Sequence, residues 1–175
     1  MREVFELLAM YNKKANESMI GILEKMPEAD LKKDMGAYFK SILGTVEHLV
    51  LANIMWLKRT NGLFNQKYKS IASSEIMNLS DTDVGNRLNA GHAQVFDMEK
   101  ELDELFEKYV HELDEADLDK RLRYRNMKGE EIERTYWNTV LHIFNHETHH
   151  RGAISAMLDQ LKINNDYSGI LLYVK

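Results

Sequence analysis

Residues 137–160 read WNTVLHIFNHETHHRGAISAMLDQ, and four of the chain's seven histidines, His142, His146, His149 and His150, fall within nine of these positions. At about 100° per residue an α-helix gathers all four within roughly 100° of one face. Ala153 and Met157 share that face, and the alanine leaves room beside the ring nitrogens. Val140, Ile143, Ile154, Leu158 and Leu161 form the adjoining apolar stripe and set the helix at 136–161. His146 and His150 are one turn apart, so two neutral imidazoles can converge on one cation. A protein zinc or nickel site takes at least three ligands, and the best further donor is His48, about a hundred residues earlier.

His48 lies in a second predicted helix that runs from 31 or 35 to 59, with Asn61-Gly62 as its stop. Phe39, Ile42, Leu43, Val46, Leu49 and Val50 make one stripe of it. Ser41, Thr45, His48, Ala52 and Met55 make a neighbouring stripe, small and polar around the histidine. Trp56 lies two turns beyond His48 and reads as core more readily than as a platform for substrate. The first predicted helix spans 2–26 and is stopped by Pro27. Asn12 and Asn16 stand one turn apart in it, either exposed or lining the bundle.

Residues 63–79 lack a clear period and read as a long connection. Ser80 offers an N-cap with acidic residues following, and a third helix extends to about 113. Its acidic run, Asp97, Glu99, Glu101, Asp103, Glu104 and Glu107, is most simply a solvated face. His92 and His111 have no partner at ligand spacing. Before the last helix, Lys128-Gly129 punctuates either a short two-stranded hairpin or an irregular loop. The apolar tail, 167–174, is expected to dock against the body.

The expected fold is all-α, a four-helix bundle in a single domain over residues 1–175, with helices of about 24 residues and 36 Å. The net charge of -5 and the absence of a basic cluster exclude a nucleic-acid role. There is no cysteine, so any metal must sit on nitrogen and oxygen. Neither a leader peptide nor a membrane span is visible, and a cytoplasmic location is expected.

Tyr11-Asn12 with Ala15-Asn16, Phe39-Lys40-Ser41-Ile42, His48-Leu49 with Trp56-Leu57, and Asn145-His146-Glu147-Thr148-His149-His150-Arg151-Gly152 resemble, in order and spacing, the DinB family of small four-helix metalloproteins. The resemblance covers nearly the whole chain, and its last block is the most specific part. It implies a three-histidine metal site at His48, His146 and His150. His142, His149, Asn145, Asn12, Asn16 and Trp56 would then stand beside the ligands or line the pocket. It also implies a cytosolic homodimer binding zinc or nickel. Related branches include bacillithiol S-transferases, mycothiol-dependent isomerases and a domain of thiohistidine-forming sulfoxide synthases, so the implied substrate chemistry is that of a low-molecular-weight thiol. The family usually places glutamine after Arg-Gly, where this chain has Ala153.

Three neutral histidines leave a divalent cation with at least one open position, where water or a thiol can be acidified. Ligand type suits zinc, nickel, copper or iron better than magnesium or calcium. Thiol S-transfer to a small electrophile, hydrolysis of a small ester or amide, and a non-catalytic metal- or ligand-binding stress protein are the three functions that follow. His146-Glu147-Thr148-His149-His150 also satisfies the H-E-x-x-H pattern of zinc proteases, with Glu147 as base. No histidine or glutamate follows His150, and Ala153 and Ala156 stand where the extended motif needs glycine and histidine. By its helical angle Glu147 points away from the histidine stripe, which makes it a surface carboxylate.

Overall fold

The computed structural model of the chain describes residues 1–126, 128–167 and 169–173. Helix α1 (Arg2–Leu23) stops short of Pro27, and the proline instead opens the short helix α2 (Glu28–Leu31) at its N-cap, where its fixed φ suits the entry. Helix α3 (Ile42–Leu63) begins later than the sequence pattern suggests. The Ser41 side chain accepts a hydrogen bond from the Gly44 amide and caps it, and Lys40 sits at φ 66°, which no helix continues through. Phe39 therefore belongs to the preceding loop and not to the helical stripe. At its other end α3 runs through Asn61-Gly62 without stopping.

The long connection after α3 is also more ordered than expected. It contains α4 (Lys69–Ser73) and α5 (Glu75–Asn78), and it buries Tyr68, Ile71, Ile76 and Met77. The third predicted helix is two, α6 (Asp81–Asn89), capped by the Ser80 hydroxyl, and α7 (His92–Glu112). The break falls at Gly91, whose φ of 125° is open to glycine and strained for other residues. A four-residue helix, α8 (Glu115–Leu118), follows.

The Lys128-Gly129 hairpin forms. Strands β1 (Arg121–Arg125) and β2 (Glu131–Thr135) pair antiparallel, with Arg121 opposite Thr135 and Tyr124 opposite Ile132. The Asn126 side chain accepts from the Lys128 and Glu130 amides and closes the turn. Helix α9 (Tyr136–Gln160) completes the body. Of the tail, Tyr167 is buried and Tyr173 lies 6.0 Å from the Tyr11 ring, but Leu171 and Leu172 are exposed, so the two tyrosines anchor it and the leucines do not. Ser168 and Val174, part of the same expected segment, lie outside the described residues.

The mainly helical architecture agrees with the expected all-α bundle. Helices α1, α7, α3 and α9 close a ring in which each packs on the next, α9 returning to α1. Low-numbered residues of α1 meet high-numbered ones of α7, as in Glu6 with His111 and Asn16 with Glu99, and the same holds for α1 against α9, Asn12 with Arg151 and Asn16 with Glu147, and for α3 against α9, His48 with His150 and Trp56 with His142. Neighbours are therefore antiparallel, and the diagonal partners α1 and α3 run parallel. That arrangement needs long crossover connections, which α2 and the hairpin segment occupy. Among the described residues no helix is long and apolar enough to cross a membrane.

Candidate metal centre

Helix α9 carries two unlike faces about 100° apart, and each meets different partners. On one face His146 and His150 project toward α3. The Nε2 of His146 lies 3.1 Å from Nε2 of His48 and 3.0 Å from Nε2 of His150. Ring centroids of His48 and His150 are 4.7 Å apart. The three side chains together form a group that could hold a metal ion.

The spacing fits one ion. Imidazole nitrogens about 2.0–2.1 Å from a common metal stand roughly 3.3 Å apart on a tetrahedron and roughly 2.9 Å apart on one octahedral face. The observed separations of 3.0 and 3.1 Å fall between these values. Charge agrees as well. Burial, reinforced by the neighbouring imidazoles, depresses His146 to about 3 and His150 to about 4, and burial also lowers His48. All three rings are thus neutral at neutral pH, with lone pairs available to a cation.

The loop before α3 supplies one wall. Phe39 stacks on His48, with centroids 3.9 Å apart and planes 16° from parallel, and presents its edge to His150 at 5.5 Å. Its position depends on Gly44, because a Cβ there would come 2.5 Å from the Phe39 carbonyl oxygen. No periodicity in the sequence marks this role. On the opposite side His142 lies 5.6 Å from His146, with Trp56 5.2 Å beyond it, and His149 stacks edgewise on His150 at 4.8 Å. Trp56 is buried and Asn145 is exposed.

The second face of α9 holds what the sequence pattern missed. Glu147 is fully buried and is not a surface carboxylate. It does point away from the histidines, but into the bundle, where it accepts from Asn53 at 2.7 Å and Asn16 at 3.2 Å and pairs with Arg151 at 3.4 Å. Arg151 also donates to Asn12 and Asn16. From α7 come Glu99 and Asp103, both buried, so the acidic run is not wholly a solvated face. Asn16 donates to both, and Asn12 to Asp103. Burial raises Glu99 and Asp103 well above the ordinary carboxylate range, and the negative charge of Glu147 raises both further. Asn12 and Asn16 therefore line the bundle beside Glu147 and Arg151, and their bonds go to this network.

The signal was present in the spacing. Glu99 and Asp103 are four apart and share the face of Val95, Phe96, Leu102 and Phe106, all core residues. His92 and His111 lie apart from the centre, His111 against Glu6.

The sequence profile of the DinB family matches residues 1–162. The protein named DinB of Bacillus subtilis (strain 168) is similar at 26% identity over 151 residues, which covers 86% of this chain and 81% of that protein. No solved structure matches. With the profile spanning nearly all of its length and the three histidines gathered between its helices, the chain belongs to the DinB family.

Proposed function

We propose that His48, His146 and His150 hold one divalent transition metal ion, zinc or nickel, and that the protein uses it to transfer a low-molecular-weight thiol to a small electrophile. The observation that carries this reading is the convergence of three neutral imidazoles from two helices, with no carboxylate among them. A divalent ion in such a donor set supplies Lewis acidity, which favours the thiolate form of a thiol at neutral pH. The residues around it do the rest. Phe39 shields one side from water and fixes the His48 ring, while His142 and His149 border the approach. In the transfer, a carbon–sulfur bond forms, the thiol proton goes to solvent, and the electrophile gives up its leaving group or opens its ring.

A zinc-peptidase reading of the H-E-x-x-H pattern fails on Glu147, which is engaged by Asn16, Asn53 and Arg151 inside the bundle and cannot serve as base at the histidine face. The test is conjugation of chlorodinitrobenzene with a bacillithiol-like thiol, comparing metal-loaded protein with protein stripped by chelator. Metal-dependent product is expected. Hydrolysis of a small ester without any thiol conjugation would replace transfer by metal-dependent hydrolysis, and the absence of both would leave a metal- or ligand-binding protein.

A further inference from the structure

Beside the histidine centre lies a pocket of about 340 Å³ lined by Trp56, Tyr124, Arg134, Asn138, Thr139 and His142. One wall is aromatic and braced. Trp56 and Tyr124 meet edge to face at 5.3 Å, and the Arg59 guanidinium lies over both, 4.6 and 4.5 Å from their centroids. The other wall carries Arg134, Asn138 and Thr139, all able to donate hydrogen bonds. His142 belongs to the pocket and to the border of the centre alike, 5.2 Å from Trp56 and 5.6 Å from His146.

The arginines of this region divide into two kinds. Arg121 and Arg123 pair with Glu133, and Arg125 pairs with Glu131. Among the described residues Arg59 and Arg134 have no acidic partner, and their side chains donate to backbone carbonyls, of Arg125 and Glu133 respectively. Glu131 and Glu133 are thus spent on the outward arginines, and Glu130 accepts from Asn126. Of the four hairpin arginines, the one left without an acidic partner among the described residues is Arg134, which lines the pocket.

We infer that this pocket is an oxyanion subsite: it receives a carboxylate or phosphate group of the small molecule whose other end reaches His48, His146 and His150. Arg134 recognises the oxyanion through a charge-assisted, potentially bidentate pair, Asn138 and Thr139 add neutral donors, and the Trp56–Tyr124 wall packs the connecting carbons. Arg59 adds positive potential from behind the aromatic rings. The inference rests on the reading that the histidine centre acts on a small molecule, and it narrows that molecule to an anionic one.

Two measurements keep the subsite separate from the thiol chemistry. The first uses metal-free protein in a Trp137→Phe background, so that Trp56 fluorescence reports on the pocket. Succinate and methyl phosphate are titrated separately to distinguish the two oxyanions. A saturable change is expected with at least one, weakened about tenfold or more by the exposed change Arg134→Ala and weakened by added salt. No saturable change with either probe, or equal affinity in the variant, overturns the subsite. The second uses cobalt-loaded protein and its visible spectrum, comparing mercaptosuccinate with 2-mercaptoethanol. Mercaptosuccinate is expected to bind at least about tenfold more tightly, with Arg134→Ala removing that advantage and leaving 2-mercaptoethanol unchanged. Equal affinity for the two thiols in the unaltered protein counts against the subsite. Succinate or phosphate binding with no cobalt response to either thiol supports the subsite and refutes the thiol reading.

Discussion

Replacing Arg151 with methionine tests whether the buried polar network holds the bundle together through charge. Arg151 is 3% exposed, and its guanidinium serves Asn12, Asn16, Glu147 and Thr148. Methionine keeps much of the volume and removes every donor, which leaves Glu147 buried beside an empty place where its cation stood. Removing one partner of a buried ion pair costs about 3–5 kcal/mol, because the remaining charge has no compensation. For a chain of this size each kcal/mol moves the melting temperature by roughly 2–4 °C, so the expected fall is roughly 6–20 °C. The assay is thermal and urea unfolding followed by circular dichroism with chelator present, so that bound metal adds nothing to stability. The double variant Arg151→Met/Glu147→Gln should recover part of the loss, since it removes the stranded charge. A loss below about 1 kcal/mol, or a double variant no more stable than the single one, would refute the reasoning.

Three further outcomes are expected. Metal analysis of protein purified without a histidine tag should show occupancy falling sharply in His48→Ala, His146→Ala and His150→Ala and holding in His92→Ala and His111→Ala; equal occupancy across the set contradicts the ligand assignment. Gly44→Ala forces a Cβ against the Phe39 carbonyl, so it should destabilise by about 1–3 kcal/mol and weaken metal affinity through the displaced Phe39 ring, whereas an unchanged urea midpoint and affinity would show that Phe39 does not support the centre. Glu99 and Asp103 keep their protons in the folded protein above the ordinary carboxylate range, while the unfolded chain gives them up near about 4. Their contribution to stability is therefore complete below that range and declines as pH rises toward their folded values. Glu99→Gln should flatten this decline and raise the urea midpoint at pH 7 more than at pH 4.5, and a midpoint lowered equally at both would disprove it.

The parts of the fold that are legible in the sequence are those written in local chemistry. The 3.6-residue period marks α9 almost to the residue, Ser80 marks the start of α6, and Lys128-Gly129 marks the hairpin. The starts of α3 and α7 are not legible, because Lys40 at positive φ and Gly91 break helices inside stretches whose apolar period continues. The histidine cluster is legible because neutral imidazoles repeated at i and i+4 on one helix face suit a shared cation, and His48 sits in a stripe that leaves space for it. The ionic network is legible only in part, since Glu99 and Asp103 fall on the apolar stripe of α7 but their partners lie on other helices. Glutamate and aspartate in a helix are usually solvated, and only the pairing of Asn12 and Asn16 on α1 with Glu99 and Asp103 on α7 makes their burial tolerable, a fact of tertiary structure. Arg59 and Arg134 are of the same kind, since their lack of acidic partners among the described residues depends on how the hairpin folds back over α3.

The ionic network and the histidine centre are coupled through the register of α3 against α9. His48 and Asn53 lie on α3, and they face His146 and Glu147, adjacent residues of α9. Apolar burial is non-directional, so polar contacts between the two helices add to what packing does to set their register. A slip of one turn, about 5.4 Å, would strip Glu147 of Asn53 and leave a buried carboxylate short of a donor. The same slip would take His48 out of its place against both His146 and His150, leaving it beside only one of the two. A buried polar group of this sort adds little net stability and penalises the wrong alignment heavily. The carboxylate beside the first histidine of the pair thus needs no part in chemistry to matter: its bond to Asn53 favours the setting in which His48 meets His146 and His150.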